Sequence, residues 1–461
     1  MRVCVIGGGV SGLSAAYRLK QGGAQVTLLE GTQRVGGLLG TEQIEQFIVE
    51  TGADSILTEK PWALRLAEEL GLKDKIIATQ QGPRGAYIVH AGKLERVPAG
   101  FSLLAPTDLL AFVRSPLLSP RGKARALWEQ FVPARDPNAS DESLEDFVVR
   151  RFGRELFDSL AQPLAGGIYG ADPKKLSLAA TMPRFVALER EYGSVIRGLR
   201  KKAKAGGTSG QATAGARYGL FAAFSGGMQT LVDALHEALA EIVETASLVT
   251  ALERDERGYR VEVRGTARSF DALVLAVPAY VAAQLLSSLD HELAHALSGI
   301  EYGSAATVSF GWPRAAIPHA LDAFGYVVPV VENRPTIAST WASVKYEGRA
   351  PSEKALLRVF IGGHRGQHLV QYGDDELITL ARRDLRELLG VTDAPEWTKV
   401  VRYLRAMPQY HVGHLARVER IELMEKRHLR FALAGNALRG VGIPDAIKSG
   451  EDAAQRLLAH S

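Results

Sequence analysis

MRVCVIGGGVSGLSAAYRL, residues 1–19, decides the fold. A strand-like apolar run ends at Gly7 and passes through Gly9 and Gly12 into a helical pattern. That is the context in which a G-x-G-x-x-G triplet holds a dinucleotide. Gly7 permits the tight turn, Gly9 admits a pyrophosphate against the backbone, and Gly12 lets helix and strand pack closely. The pyrophosphate then meets the positive end of the helix at Val10 and Ser11. A second strand, Gln25–Leu29, ends in Glu30, placed to accept hydrogen bonds from a ribose diol. A carboxylate there repels a 2′-phosphate, which argues against NADP. A bare glycine triplet can also be an ordinary turn; strand, helix and terminal acid together separate the two readings.

Beyond Glu30 comes Arg34-Val35-Gly36-Gly37. A cation followed by a glycine pair suits a second pass of the chain along a long dinucleotide, because bare backbone can approach phosphate or ring. The alternative is a surface loop with one exposed arginine. The pattern GGGVSGL, Glu30, RVGG as a whole resembles the flavin-containing amine oxidase superfamily, which includes amine oxidases, phytoene desaturases and porphyrinogen oxidases. The resemblance implies an α/β (α+β) chain: a Rossmann-like FAD-binding domain carrying an inserted helical lobe and a mixed-sheet substrate domain. It implies non-covalent FAD, held by the residues above together with Gly52, Ala53, Val249, Ala276, Gly435, Gly442 and Ile443.

Composition fits that reading. A chain of 461 residues exceeds what one core usually serves. Apolar residues make up 46%, enough for sizeable cores. The one cysteine, Cys4, rules out an internal disulfide, and its place in the first strand suits a buried thiol, not a flavin linkage. With one cysteine there is no Cys-x-x-Cys spacing, and no metal site is expected. The net charge of +4 is mild, and no nucleic-acid partner is expected.

No charged leader precedes the first strand, so no signal peptide is expected, and a cytoplasmic location follows. Phe101–Val113 is the most apolar stretch, but Pro106 and Asp108 break it far short of the ~20 residues of a spanning helix. Membrane association is thus peripheral at most. Leucines, Trp128 and the basic residues Arg114, Arg121, Lys123, Arg125 and Arg135 across 101–135 suit either a membrane-surface patch or a lobe packed on its own domain.

The expected organisation is discontinuous. Residues 1–85 form the first part of the FAD domain, 86–205 the helical lobe, with a membrane-facing side left open, and 206–280 the second FAD part. Residues 281–405 form the substrate domain and 406–461 the last FAD part. Ser143-Leu144 marks a helix start, and Arg184–Lys202 reads as one amphipathic helix with a basic end. Residues 203–216, small and polar, read as a flexible loop. Residues 303–363 are rich in strands and aromatics, suiting either a substrate-chamber wall or a plain core. Leu429–Ala434 reads as a strand, and Pro444 suits the first position of a final helix. In the superfamily that helix end faces the flavin pyrimidine.

A closer resemblance lies further along. Residues 166–177, GGIYGADPKKLS, are similar to the GIYAGDxxxLS stretch of porphyrinogen oxidases, with Gly170-Ala171 where that family usually has Ala-Gly. MPQYHVGH at 407–414 and GVGIPD at 440–445 also match, most closely the Gram-positive type. FSGGM at 224–228 and Val277-Pro278 follow in the family's order. The resemblance implies oxidation of protoporphyrinogen IX or coproporphyrinogen III to the porphyrin in haem biosynthesis. Dioxygen is the acceptor and hydrogen peroxide the by-product. It implies substrate contacts at Gly167, Tyr169, Gly170 and Trp341, with no catalytic acid–base pair, and leaves open a contact with a downstream haem-pathway enzyme. His411 and His414 read as structural or flavin-adjacent in preference to a metal pair. Many protoporphyrinogen oxidases place an arginine where this chain has Ala86; Arg84 is its nearest arginine and the candidate partner for a propionate. The Gram-positive enzymes, acting on coproporphyrinogen III, lack it too, which favours that substrate. The alternative is an amine oxidase of the same superfamily.

Overall fold

The computed structural model describes residues 1–82, 85–136, 138–204, 221–256 and 258–459. Five parallel strands form its nucleotide-domain sheet. Their order is Val243–Glu244, Gln25–Leu29, Arg2–Ile6, Ala272–Leu275 and Phe431–Leu433. Both faces are covered, which is why these strands read as unbroken apolar runs. Val3, Val5 and Leu28 point to a helical layer of Val10–Gln21, Gln229–Leu239 and Ile443–Leu458. Cys4, Ile6 and Leu29 point the other way, onto the antiparallel strands Val249–Asp255, Gly258–Val263 and Thr266–Phe270. Two of the three helices touch backbone to backbone: a Cβ on Gly450 would stand 2.0 Å from the Ser11 carbonyl oxygen.

A second, seven-stranded sheet runs Trp397–Pro408, Tyr302–Pro313, Lys354–Gly362, Thr336–Trp341, Gly325–Val327, Tyr87–His90, Lys93–Arg96. Side chains alternate across it. Leu357, Val359 and Ile361 pack under helix Asp374–Leu389. Trp341 belongs to that same core, wholly buried and paired with Leu357, so it does not line a substrate chamber as expected. Phe310, Trp312 and Tyr326 share its fate. The opposite face carries Arg358 and Phe360 and meets the helical lobe at Val327 and Ala338.

Two segments sit apart from their expected neighbours. The hairpin Tyr87–Arg96 joins the large sheet, not the helical lobe. Helices Ala279–Leu286 and His291–Ser298 pack on the nucleotide domain, so the part of the large sheet drawn from 281–405 begins after them, at Tyr302.

The helical lobe gathers Leu144–Phe152, Gln162–Tyr169, Pro183–Tyr192 and Val195–Lys204. Ser143 caps the first, accepting from the Asp146 amide at 3.0 Å. The single helix expected over 184–202 is two, because Gly193 ends the first in a left-handed cap. Within 101–135, Phe101, Leu104, Phe112 and Leu117 pack into the lobe, whereas Leu110, Val113, Trp128 and Phe131 are exposed. Among the described residues no helix is long and apolar enough to cross a membrane. The loop expected at 203–216 lies outside the described residues apart from its first two, which end the last helix. At the C-terminus the strand is shorter than expected, Phe431–Leu433, and the helix starts at Ile443, so Pro444 takes its second position.

Candidate functional site

Three loops meet above the carboxyl ends of the parallel strands, where open α/β sheets bind ligands. The first is Gly7–Gly9. Its turn holds Gly7 at φ +106°, and a Cβ on Gly12 would fall 1.9 Å from the Gly7 carbonyl oxygen, so helix and strand could not close with any side chain there. Gly9 starts the helix without a side-chain cap, and a Cβ on Gly9 would meet nothing within 4 Å. The amides of Val10, Ser11 and Gly12 therefore open the helix with no acid in its first turn. Uncapped amides beside open space are what a pyrophosphate requires.

Glu30 accepts from the Gly8 amide and from the Thr32 amide, each at 2.7 Å, fixing its carboxylate beside that loop. The Arg34–Gly40 turn lies on top: the Gly36 amide donates to the Gly8 carbonyl at 2.7 Å, and Gly37 abuts Gly9. Arg34 itself donates to the carbonyls of Val35, Gly37 and Leu39 at 3.2, 2.7 and 2.9 Å. Its guanidinium thus fastens its own loop, where the sequence suggested contact with the dinucleotide.

The second loop, Thr51–Ser55, is pressed so close to Leu38 that a Cβ on Gly52 would come 1.8 Å from its carbonyl oxygen, while Ala53 is exposed. Arg358, from the large sheet and nearly buried, donates to the Gly52 carbonyl at 2.8 Å and to the Tyr403 hydroxyl at 2.7 Å. Tyr403 in turn donates to the Thr51 carbonyl at 2.6 Å. Lys345 reaches Asp54 at 3.0 Å and Ser55 Oγ at 2.8 Å. Burial opposes charge on Asp54, yet Lys345 and Arg358 hold its carboxyl down at about 2. These residues fasten the nucleotide domain to the large sheet. Sequence reading missed them, since each partner lies hundreds of residues away and no local pattern marks it.

The third loop leads into Ile443–Leu458. Gly435 donates its amide to Ser449 Oγ at 2.9 Å. Gly442 starts the helix without a side-chain cap. Asp445, in the first turn, is held by Lys60 at 2.6 Å. Ala276 donates to Ile6 at 2.8 Å, closing the floor, and Val249 lies buried at the start of its strand. Cys4 is wholly buried and burial pushes its thiol pKa up, away from the reactive thiolate. Taken together, the cradles at Gly12 and Gly52, the two uncapped helix ends and the fixed Glu30 carboxylate fit an extended dinucleotide.

A cavity of about 350 Å³ lies between helix Gln162–Tyr169 and the end of strand Lys354–Gly362. Gly167 and Gly170 line it. Tyr169, by contrast, donates its hydroxyl to the Thr181 carbonyl at 3.0 Å within the lobe. Arg84 lies outside the described residues. A π-helical turn, Phe157–Ala161, feeds the helix and turns Gln162 so that its side-chain oxygen accepts from the Val330 amide at 2.9 Å across the cavity's edge.

His414 stacks on Tyr410 at 3.9 Å between ring centres and lies 2.9 Å from the Leu438 carbonyl through Nε2. Burial lowers the pKa of His414 and of half-buried His411. The Ser177 amide donates to Tyr410 at 2.8 Å and the Val412 amide to Lys175 at 2.7 Å. The 407–414 stretch therefore clamps the GGIYGADPKKLS segment to the third loop.

Known proteins place this arrangement. A coproporphyrinogen III oxidase of Bacillus subtilis (strain 168) is 33% identical over 467 residues, covering 99% of this chain and 98% of its own. The chloroplastic/mitochondrial protoporphyrinogen oxidase 2 of Arabidopsis thaliana is 30% identical over 489 residues, covering 100% and 94%. A solved structure from Exiguobacterium sp. 255-15, provisionally assigned as a protoporphyrinogen oxidase, superposes with a TM-score of 0.89 at 28% identity, covering 100% and 99%. The model of the flavin containing amine oxidoreductases matches residues 10–458. With the dinucleotide cradle built from both ends of the chain, the protein belongs to the flavin-containing amine oxidoreductase family and is an FAD-dependent oxidoreductase.

Proposed function

We propose that this protein oxidises a porphyrinogen to the porphyrin with dioxygen as acceptor and release of hydrogen peroxide, in haem biosynthesis. Coproporphyrinogen III is the favoured substrate and protoporphyrinogen IX is also accepted. One observation carries the choice within the family. Among the described residues lining the 350 Å³ cavity there is no carboxylate and no phenylalanine, tyrosine or tryptophan ring. An amine substrate needs one or the other to hold its nitrogen. A colourless tetrapyrrole with carboxylate arms needs neither; it needs a broad, largely apolar slot.

FAD, when bound, supplies two-electron acceptance and is turned over by dioxygen. The chain supplies position. Gly7, Gly9, Val10, Ser11 and Gly12 would hold the pyrophosphate, Glu30 the ribose, and Gly36 and Gly37 would cover it. Arg34 would act by bracing that cover. Gly52, Ala53, Ala276, Gly435, Gly442 and Ile443 would line the ring-bearing end, with Val249 near the nucleotide. The positive end of helix Ile443–Leu458 favours negative charge arriving beside it. Gly167 and Gly170 would lie against the tetrapyrrole. Over three two-electron steps the tetrapyrrole gives up three hydrides from meso carbon and three protons to water, a net loss of four C–H and two N–H hydrogens. Orientation therefore outweighs general-base strength, and no acid–base pair is assigned.

Exposed Trp128 and Phe131, rings 5.1 Å apart, leave a peripheral membrane contact as part of this reading. The decisive test is porphyrin fluorescence on mixing the FAD-loaded enzyme with each porphyrinogen in air. Oxidation of coproporphyrinogen III is expected. Peroxide formation from amines with neither porphyrinogen consumed would refute the reading, and a protoporphyrinogen kcat/KM at least about tenfold higher would overturn the preference.

A further inference from the structure

The cavity beside Gly167 and Gly170 has a charged rim that the reaction itself does not call for. Strand Lys354–Gly362 ends in two left-handed glycines, Gly362 at φ +121° and Gly363 at +67°, and the chain swings round to place His364 and Arg365 on the cavity wall. Helix Asp374–Leu389 contributes Arg383 from the facing side. A third arginine on the wall, Arg334, is already neutralised, at 3.0 Å from Asp384 and 2.8 Å from Glu387. Arg365 and Arg383 differ. Both are exposed, and among the described residues no carboxylate pairs with either. The cavity thus carries two uncompensated guanidinium groups and no acid. Such a site favours an anion with planar, bidentate oxygens.

Its position gives the anion a place on the substrate. Arg358 touches the Gly52 loop from the same strand and the same face as Gly362. Four residues of strand at about 3.3 Å each separate them by about 13 Å, the scale of a tetrapyrrole's width. A substrate edge held at the Gly52 loop would therefore present its far edge to this rim.

We propose that Arg365 and Arg383 form a carboxylate-binding rim that receives propionate groups on the edge of the substrate remote from FAD, with His364 beside them. This rests on the porphyrinogen reading above. The rim sets selectivity for substrates with carboxylates on that edge, and it acts on binding, not on hydride removal.

The test compares coproporphyrinogen III with its tetramethyl ester, using FAD-loaded wild type, Arg365→Glu/Arg383→Glu and Arg365→Gln/Arg383→Gln. Losing charge-assisted hydrogen bonds predicts a KM for the free acid raised about ten- to a hundredfold, with kcat retained, and no change for the ester. Added salt should weaken the wild type towards the Gln variant. Equal KM for acid in wild type and variants, or equal losses for acid and ester, would overturn the rim. Binding of coproporphyrin III, followed by quenching of its fluorescence, judges the rim separately from turnover. Wild type that binds the porphyrin through these arginines but oxidises no porphyrinogen would sink the proposed function and leave the rim standing.

Discussion

Gly450→Ala isolates the contact on which both ends of the cofactor cradle depend. Gly450 lies in helix Ile443–Leu458, where an ordinary helical glycine replaced by alanine gains about 0.5–1 kcal/mol of stability. Here the added methyl would stand 2.0 Å from the Ser11 carbonyl oxygen, 2.9 Å from its carbon and 3.1 Å from the Ala15 nitrogen. All three are backbone atoms of helix Val10–Gln21, so no side chain can swing aside. Restoring ordinary contact needs the helices to part by more than about 1 Å. Overpacking of this kind costs about 1–3 kcal/mol, and backbone meeting backbone belongs at the upper end. For a chain of this length, a loss near 3 kcal/mol lowers the melting temperature by roughly 3 °C. The parting also moves the N-terminus of the fingerprint helix away from that of the final helix, so FAD should be lost first. Flavin fluorescence rises on release, and a thermal ramp following it alongside circular dichroism reads both effects. A melting temperature unchanged or raised would mean that the helices do not meet as described.

Glu30→Ala removes a carboxylate that accepts two backbone amides and faces the ribose position. FAD dissociation by equilibrium dialysis should weaken about ten- to a hundredfold, and an unchanged affinity would take Glu30 out of the site. Asp54 has its folded pKa depressed to about 2 from 3.8. The stability it contributes is therefore complete above the unfolded value and disappears as pH falls from 3.8 towards 2. The melting-temperature gap between wild type and Asp54→Asn should be constant at neutral pH and close over that acid window; a gap that widened on acidification would reverse the sign. Trp128→Ser/Phe131→Ser should lower sedimentation with anionic vesicles without changing turnover of soluble substrate. Equal sedimentation of both proteins would assign those rings to another purpose.

The parallel core was legible because its signals are local. The run before Gly7, the acid after Leu29 and the apolar strand ending at Leu275 each declare themselves within a few residues. The hairpin at Tyr87–Arg96 did not, since its turn places Ala91 and Gly92 at φ +50° and +75°. Asparagine or aspartate before glycine would have signalled such a turn, whereas alanine there runs against preference; Glu332, far along the chain, holds it by accepting from both amides at 2.7 and 3.0 Å. Trp341 misled for a different reason. Its strand is buried on both faces, so alternation could not say which side faces the cavity. The Arg358–Gly52 and Gly450–Ser11 contacts were invisible because they join residues with no shared pattern.

A nucleotide sheet drawn from three remote stretches also sets the order in which the protein can form on the ribosome. Arg2–Ile6 and Gln25–Leu29 emerge first as an open-edged pair, the next two strands follow only after the whole helical lobe, and the last waits for residues 431–433. The lobe, whose helices are contiguous between 144 and 204, can collapse while the nucleotide fragment is still unpartnered. Because Ile443–Leu458 completes the contact with the fingerprint helix, cofactor capture waits until that helix has been made. A nascent chain stalled before that helix would present bare strand edges to chaperones and proteases and would carry no colour.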